Sequence, residues 1–103
     1  MKTQQVAETI LEQLGGGRFA AMTGACNFVS GIEENKPMLS MKLPKGMHMK
    51  IFLDASDTYT MRLLKISVRN FKLNIKVLAE TSGIYSDMLE SEFTAQTGLY
   101  TRL

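Results

Sequence analysis

The sequence predicts an α+β domain: an N-terminal helix, a five- to six-stranded, largely antiparallel sheet, and a C-terminal helix, with both helices packed on one sheet face. Three observations predict it. Apolar residues recur at helical spacing near both ends, they alternate with polar residues through the middle, and clusters of Gly, Pro, Asn and Asp break the alternation at short intervals. A chain of 103 residues suits a single domain spanning 1–103, long enough to bury a core without disulfides or a structural metal.

From Thr3 to Leu14, Val6, Ile10, Leu11 and Leu14 share one helical stripe, Thr3 is a candidate N-cap, and Gly15-Gly16-Gly17 ends the helix. Arg18–Met22 and Asn27–Ile32 read as two short strands joined through Thr23-Gly24-Ala25-Cys26, and Glu33–Pro37 reads as a polar turn. Leu39, Met41 and Leu43 alternate with Ser40 and Lys42, Pro44-Lys45-Gly46 closes the run, and Met47, Met49, Ile51 and Leu53 alternate after it, so this pair predicts a hairpin. Beyond Asp54–Asp57, Tyr59, Met61 and Leu63 take one parity but Leu64, Ile66 and Val68 take the other, which predicts a bulge or a change of covered face near Leu63-Leu64. Arg69-Asn70 marks a turn, and Phe71, Leu73, Ile75 and Val77 then alternate with Lys72, Asn74 and Lys76 as the clearest half-buried strand. The last helix is expected over about Ile84–Thr97, with Tyr85, Met88, Leu89 and Phe93 as its stripe, Gly98 at its end, and Leu99 folding back.

Composition is that of a globular protein, with 45% hydrophobic and 21% charged residues. The single cysteine, Cys26, cannot form an internal disulfide, and no signal peptide or membrane-length apolar run is seen, so a cytoplasmic setting is expected. The net charge of +2 is unevenly spread. Residues 37–78 carry Lys42, Lys45, Lys50, Arg62, Lys65, Arg69, Lys72 and Lys76 against only Asp54 and Asp57, and both ends are acidic.

No catalytic signature emerges, and the chain is read as a non-enzyme without cofactor, metal or evident small-molecule substrate. The glycine triplet before Arg18 lacks the strand and Lys-Ser/Thr of a phosphate loop, so a helix cap is the better reading. Met38, Met41, Met47 and Met49 surround His48, but Met47 and Met49 share a strand face that His48 does not, which argues for core packing over a soft-metal site. Cys26 with His48 has no third group to make a nucleophile–base pair.

If Leu39/Met41/Leu43, Met47/Met49/Ile51 and Leu73/Ile75/Val77 lie beneath the helices, the opposite face gathers Lys42, His48, Lys50, Arg62, Lys72, Asn74 and Lys76 around an exposed Phe52. Cations for phosphates and a ring for a base predict single-stranded nucleic-acid binding through Lys42, Lys50, Phe52, Arg62, Lys72 and Lys76. The competing expectation is a solvated face or a protein interface, including a homodimer that buries Phe52.

The motifs Gly15-Gly16-Gly17-Arg18-Phe19, Met22-Thr23-Gly24-Ala25, Asn27-Phe28, Met41-Lys42-Leu43-Pro44, Asp57-Thr58-Tyr59 and Thr97-Gly98-Leu99-Tyr100-Thr101 run through most of the chain. Together they resemble small proteins encoded by bacteriophages and integrated mobile elements. That resemblance implies an accessory role in a phage context and transfers no catalytic residue.

Overall fold

In the computed structural model, which describes residues 3–99, the stripe of the first helix, α1 (Thr3–Leu14), buries Val6, Ala7, Ile10 and Leu14. Val6, Ile10 and Leu14 each contribute about 1.5–3 kcal/mol by leaving water, and the Ala7 methyl about 0.8 kcal/mol. The next segment is a correction to the expected strand at Arg18–Met22, because Gly16–Thr23 forms a second helix, α2. Its apolar run is too short for periodicity to separate strand from helix. Phe19 and Thr23, one turn apart, are its buried residues. Thr23 Oγ1 donates to the Phe19 carbonyl at 2.8 Å, and Gly24, at φ +75°, closes the helix with its N–H on the Ala20 carbonyl. The glycines therefore link two helices rather than leading into a strand.

Five strands follow, β1 (Cys26–Glu33), β2 (Lys36–Lys42), β3 (Met47–Leu53), β4 (Tyr59–Arg69) and β5 (Lys72–Ile84). They pair antiparallel in chain order, β1-β2-β3-β4-β5. The hairpin of β2 and β3 forms as expected, as do the polar turns at Glu34-Asn35 and Asp54–Thr58. A 3₁₀ turn at Ser86–Met88 leads into the third helix, α3 (Leu89–Thr97). This helix is shorter than expected because β5 runs on to Ile84; Leu89 and Phe93 are buried, whereas Tyr85 and Met88 are exposed. Gly98, at φ +75°, caps α3 through the Thr94 carbonyl, and Leu99 packs back on the core. Tyr100 and Thr101 of the sequence resemblance lie outside the described residues.

The core lies between the helices and one sheet face. Leu39, Met41 and Leu43, Met49 and Ile51, and Tyr59, Met61 and Leu63 project into it from the sheet side. Phe19 of α2 meets Phe93 of α3 edge to face, with ring centroids 4.9 Å apart. Gln96 of α3 donates to the Met61 carbonyl and to Thr81 Oγ1, tying the last helix to β4 and β5.

The strand β5 departs from simple alternation at two places. Between the pairs Tyr59↔Ile84 and Met61↔Thr81 it holds an extra residue, with Gly83 at φ +71°. Between Leu63↔Ala79 and Leu64↔Val77 it holds another, Leu78. This second shift lies where the parity change in β4 predicted it. β4 itself continues without interruption, and β5 absorbs the extra residue.

Candidate functional site

On the face away from the helices, Gly31, Met38, Phe52 and Thr60 share one cross-strand row, and Val29, Ser40, Lys50, Arg62 and Glu80 share the next. Phe52 does not stand exposed there, as the alternation predicted: it is 1% exposed, because Met38 lies opposite it and the Arg62 guanidinium sits 4.9 Å from its ring centroid. Lys50 is bound by Glu33 at 2.7 Å, and Arg62 by Glu34 at 3.5 Å and by Glu80. These bonds, that from Glu80 first, raise the Arg62 pKa further above its ordinary value. Two of the expected phosphate-binding cations are thus held by carboxylates, and the expected stacking ring is covered.

Lys72 and Lys76 do not lie on the face the sequence predicted. The extra residue Leu78 turns over the alternation of the outer half of β5. Val77, Ile75 and Leu73 therefore oppose Leu64, Ile66 and Val68, on the side of the sheet away from the helices, and Lys76 and Lys72 oppose Lys65 and Arg69 on the other side. Lys72 and Lys76 do not share a face with Lys42, Lys50 and Arg62, so the expected single basic face does not assemble.

What forms instead is a projecting two-stranded ribbon. The partner of β4 on its inner side, β3, ends at the pair Met47↔Lys65, so beyond it, among the described residues, Ile66–Arg69 and Lys72–Ile75 have only each other as strand partners. One ribbon face is apolar: Val68 is 71% exposed, Leu73 64%, and Ile75 and Val77 55% each. The other carries Lys65, Ser67, Arg69, Lys72, Asn74 and Lys76, all exposed. At the tip, Asn70 and Phe71 hold φ +53° and +63°, the two-residue turn that usually takes Asn-Gly. A phenylalanine in this region is strained, and this one is fully exposed at 102%.

The other candidate centres do not converge. Cys26 and His48 lie in one cross-strand row with Lys42 between them, two strand spacings or about 10 Å apart. Met49 is buried in the core, and His48 belongs to the other face. Among the described residues no group of three or more His, Cys, Asp and Glu is placed to hold a metal, and no helix is long and apolar enough to cross a membrane. Of two shallow depressions, one lies between α1 and β1–β2, and the other, around the Asp54 turn, is lined by Glu34, Lys36, Asp54 and Asp57, of which Lys36 and Asp54 are engaged with each other at 2.8 Å. No family model, curated protein or solved structure matches the chain. The ribbon is the feature that asks for a functional account.

Proposed function

We propose that the protein is a non-enzymatic assembly module that self-associates by packing the apolar face of its β4–β5 ribbon against the same face of a second copy. The observation that carries this is Phe71, a strained aromatic at the ribbon tip that stands fully exposed. A two-stranded hairpin is at best marginally stable in water by itself, so a ribbon this apolar gains most from being covered.

The face suits a second copy for three reasons. Leu64, Ile66, Val68, Leu73, Ile75 and Val77 form a ladder without a charge, and two such ladders pack face to face about 10 Å apart. Every cation of the ribbon then points outward, away from the partner's cations. The exposed apolar side chains, with Phe71, offer on the order of 600 Å², the lower end of what each partner buries in a specific interface. About a two-fold axis perpendicular to the ribbons, which sets them antiparallel, each Phe71 is carried to the root of the partner's ribbon, where Leu64 and Val77 pair. A reducing cytoplasm, in keeping with the one exposed thiol Cys26, and the phage setting implied by the resemblance belong to the same proposal.

Light scattering across micromolar concentrations tests it. The expected result is a dimer that becomes monomeric in the double variant Leu73→Thr, Ile75→Thr, which keeps strand propensity and touches no core residue. A monomer throughout, or a variant that associates like the parent chain, overturns it. Association only with a different protein also counts against it.

A further inference from the structure

We propose that the cationic face of the ribbon binds the phosphate backbone of nucleic acid through Lys65, Arg69, Lys72 and Lys76. The register sets Lys65 directly across from Lys76 and Arg69 directly across from Lys72. Like charges facing each other across an antiparallel pair destabilise it, so the isolated ribbon carries two repulsive pairs that a bound polyanion would relieve. Three cations elsewhere in the sheet show the reverse, Lys36, Lys50 and Arg62 each being held by a carboxylate. Among the described residues the four ribbon cations have no such partner, and the sequence places no Asp or Glu between Asp57 and Glu80.

The arrangement fits an extended polyanion. The two cation pairs are four residues apart along the strands, about 13 Å, close to the axial rise of four nucleotides in a duplex strand. Ser67 and Asn74, paired between them, supply neutral donors for phosphate oxygens. A two-stranded ribbon also has the width that a duplex major groove admits. An anionic membrane is less well served, because no apolar side chain accompanies the cations on this face. The site is separate from the apolar face, so it stands or falls independently of self-association.

Fluorescence anisotropy with a labelled single strand of about 20 nucleotides, and with the duplex of the same length, tests the inference. With four phosphate contacts, affinity for the preferred form should fall about 100-fold between roughly 50 and 200 mM salt. The tighter of the two probes identifies the form recognised. The variant Lys72→Glu, Lys76→Glu should reduce low-salt affinity by more than about 10-fold and remain folded, since each glutamate faces a cation and turns a repulsive pair attractive. Its oligomeric state by light scattering should match the parent chain, which separates this result from the fate of the apolar face. No binding at low salt, binding indifferent to salt, a variant that binds like the parent, or binding to anionic vesicles but not to either oligonucleotide overturns the inference.

Discussion

Asp54, in the turn between β3 and β4, is held by an ion pair on one side and a hydrogen bond on the other. Lys36 approaches one carboxylate oxygen at 2.8 Å, and Thr60 donates to the other at 2.7 Å. Burial pushes this carboxyl up, but the Lys36 and Thr60 bonds outweigh it and hold the group below its ordinary value of 3.8. The unfolded chain therefore binds the proton more readily than the folded one. The stabilisation is fully present only well above the ordinary value of 3.8, and is lost progressively as pH falls through that value and then through the lower folded one. Asp54→Asn should cost about 1 kcal/mol at neutral pH and flatten the acid side of the stability profile, as read by urea unfolding at a series of pH values. An unchanged acid limb would place the pH dependence elsewhere. Phe52 shows why such partnerships escape a reading of the sequence. Its alternation with Ile51 correctly puts it on the face away from the helices, but the Arg62 that covers it and the Glu34 and Glu80 that hold Arg62 come from three other strands or turns. Alternation assigns a side chain to a face; it says nothing of which long side chain lies over it.

At the scale of elements, the features that depend on neighbouring residues were legible. The α1 stripe, the β2–β3 hairpin, the turns and the Gly98 cap each rest on signals within a few positions. Two features depend on more. The helix α2 has one turn of useful pattern, and the contact that buries its Phe19, against Phe93, lies far along the chain. The orientation of the outer half of β5 depends on Leu78, a residue whose role appears only in the pairing with β4. That single insertion separates the expected basic face from the ribbon that formed, and it relocates Lys72 and Lys76. The tip of this ribbon makes a further prediction. Phe71→Gly relieves the cost of a bulky side chain at φ +63°, about 1 kcal/mol. Amide exchange within the ribbon of dilute protein should then slow by about 5-fold, while association, followed by light scattering, weakens. Faster exchange would show that the aromatic supports the ribbon within one chain. Intact association would remove Phe71 from the interface.

For the molecule as a whole, a radius of gyration of 13.2 Å is close to the roughly 13 Å expected of a domain this size, so the ribbon extends from an ordinary folded body. Its apolar face is continuous with Leu64, which is already buried at the ribbon root, so covering the ribbon extends burial outward from the body instead of creating a second, isolated patch. Self-association and folding are then linked by mass action. The midpoint of thermal unfolding should rise by about 5 °C for each 100-fold increase in protein concentration above the dissociation constant. A midpoint indifferent to concentration would mean that the single chain holds all of the stability.

Cys26 begins β1, at the edge of the sheet opposite β5 and four strand spacings away, about 19 Å. As the only thiol in the chain, and an exposed one, it is a ready attachment point for a spin label or fluorophore that leaves the ribbon untouched. The separation between two such probes is then a ruler for how the bodies of two chains sit about their joined ribbons.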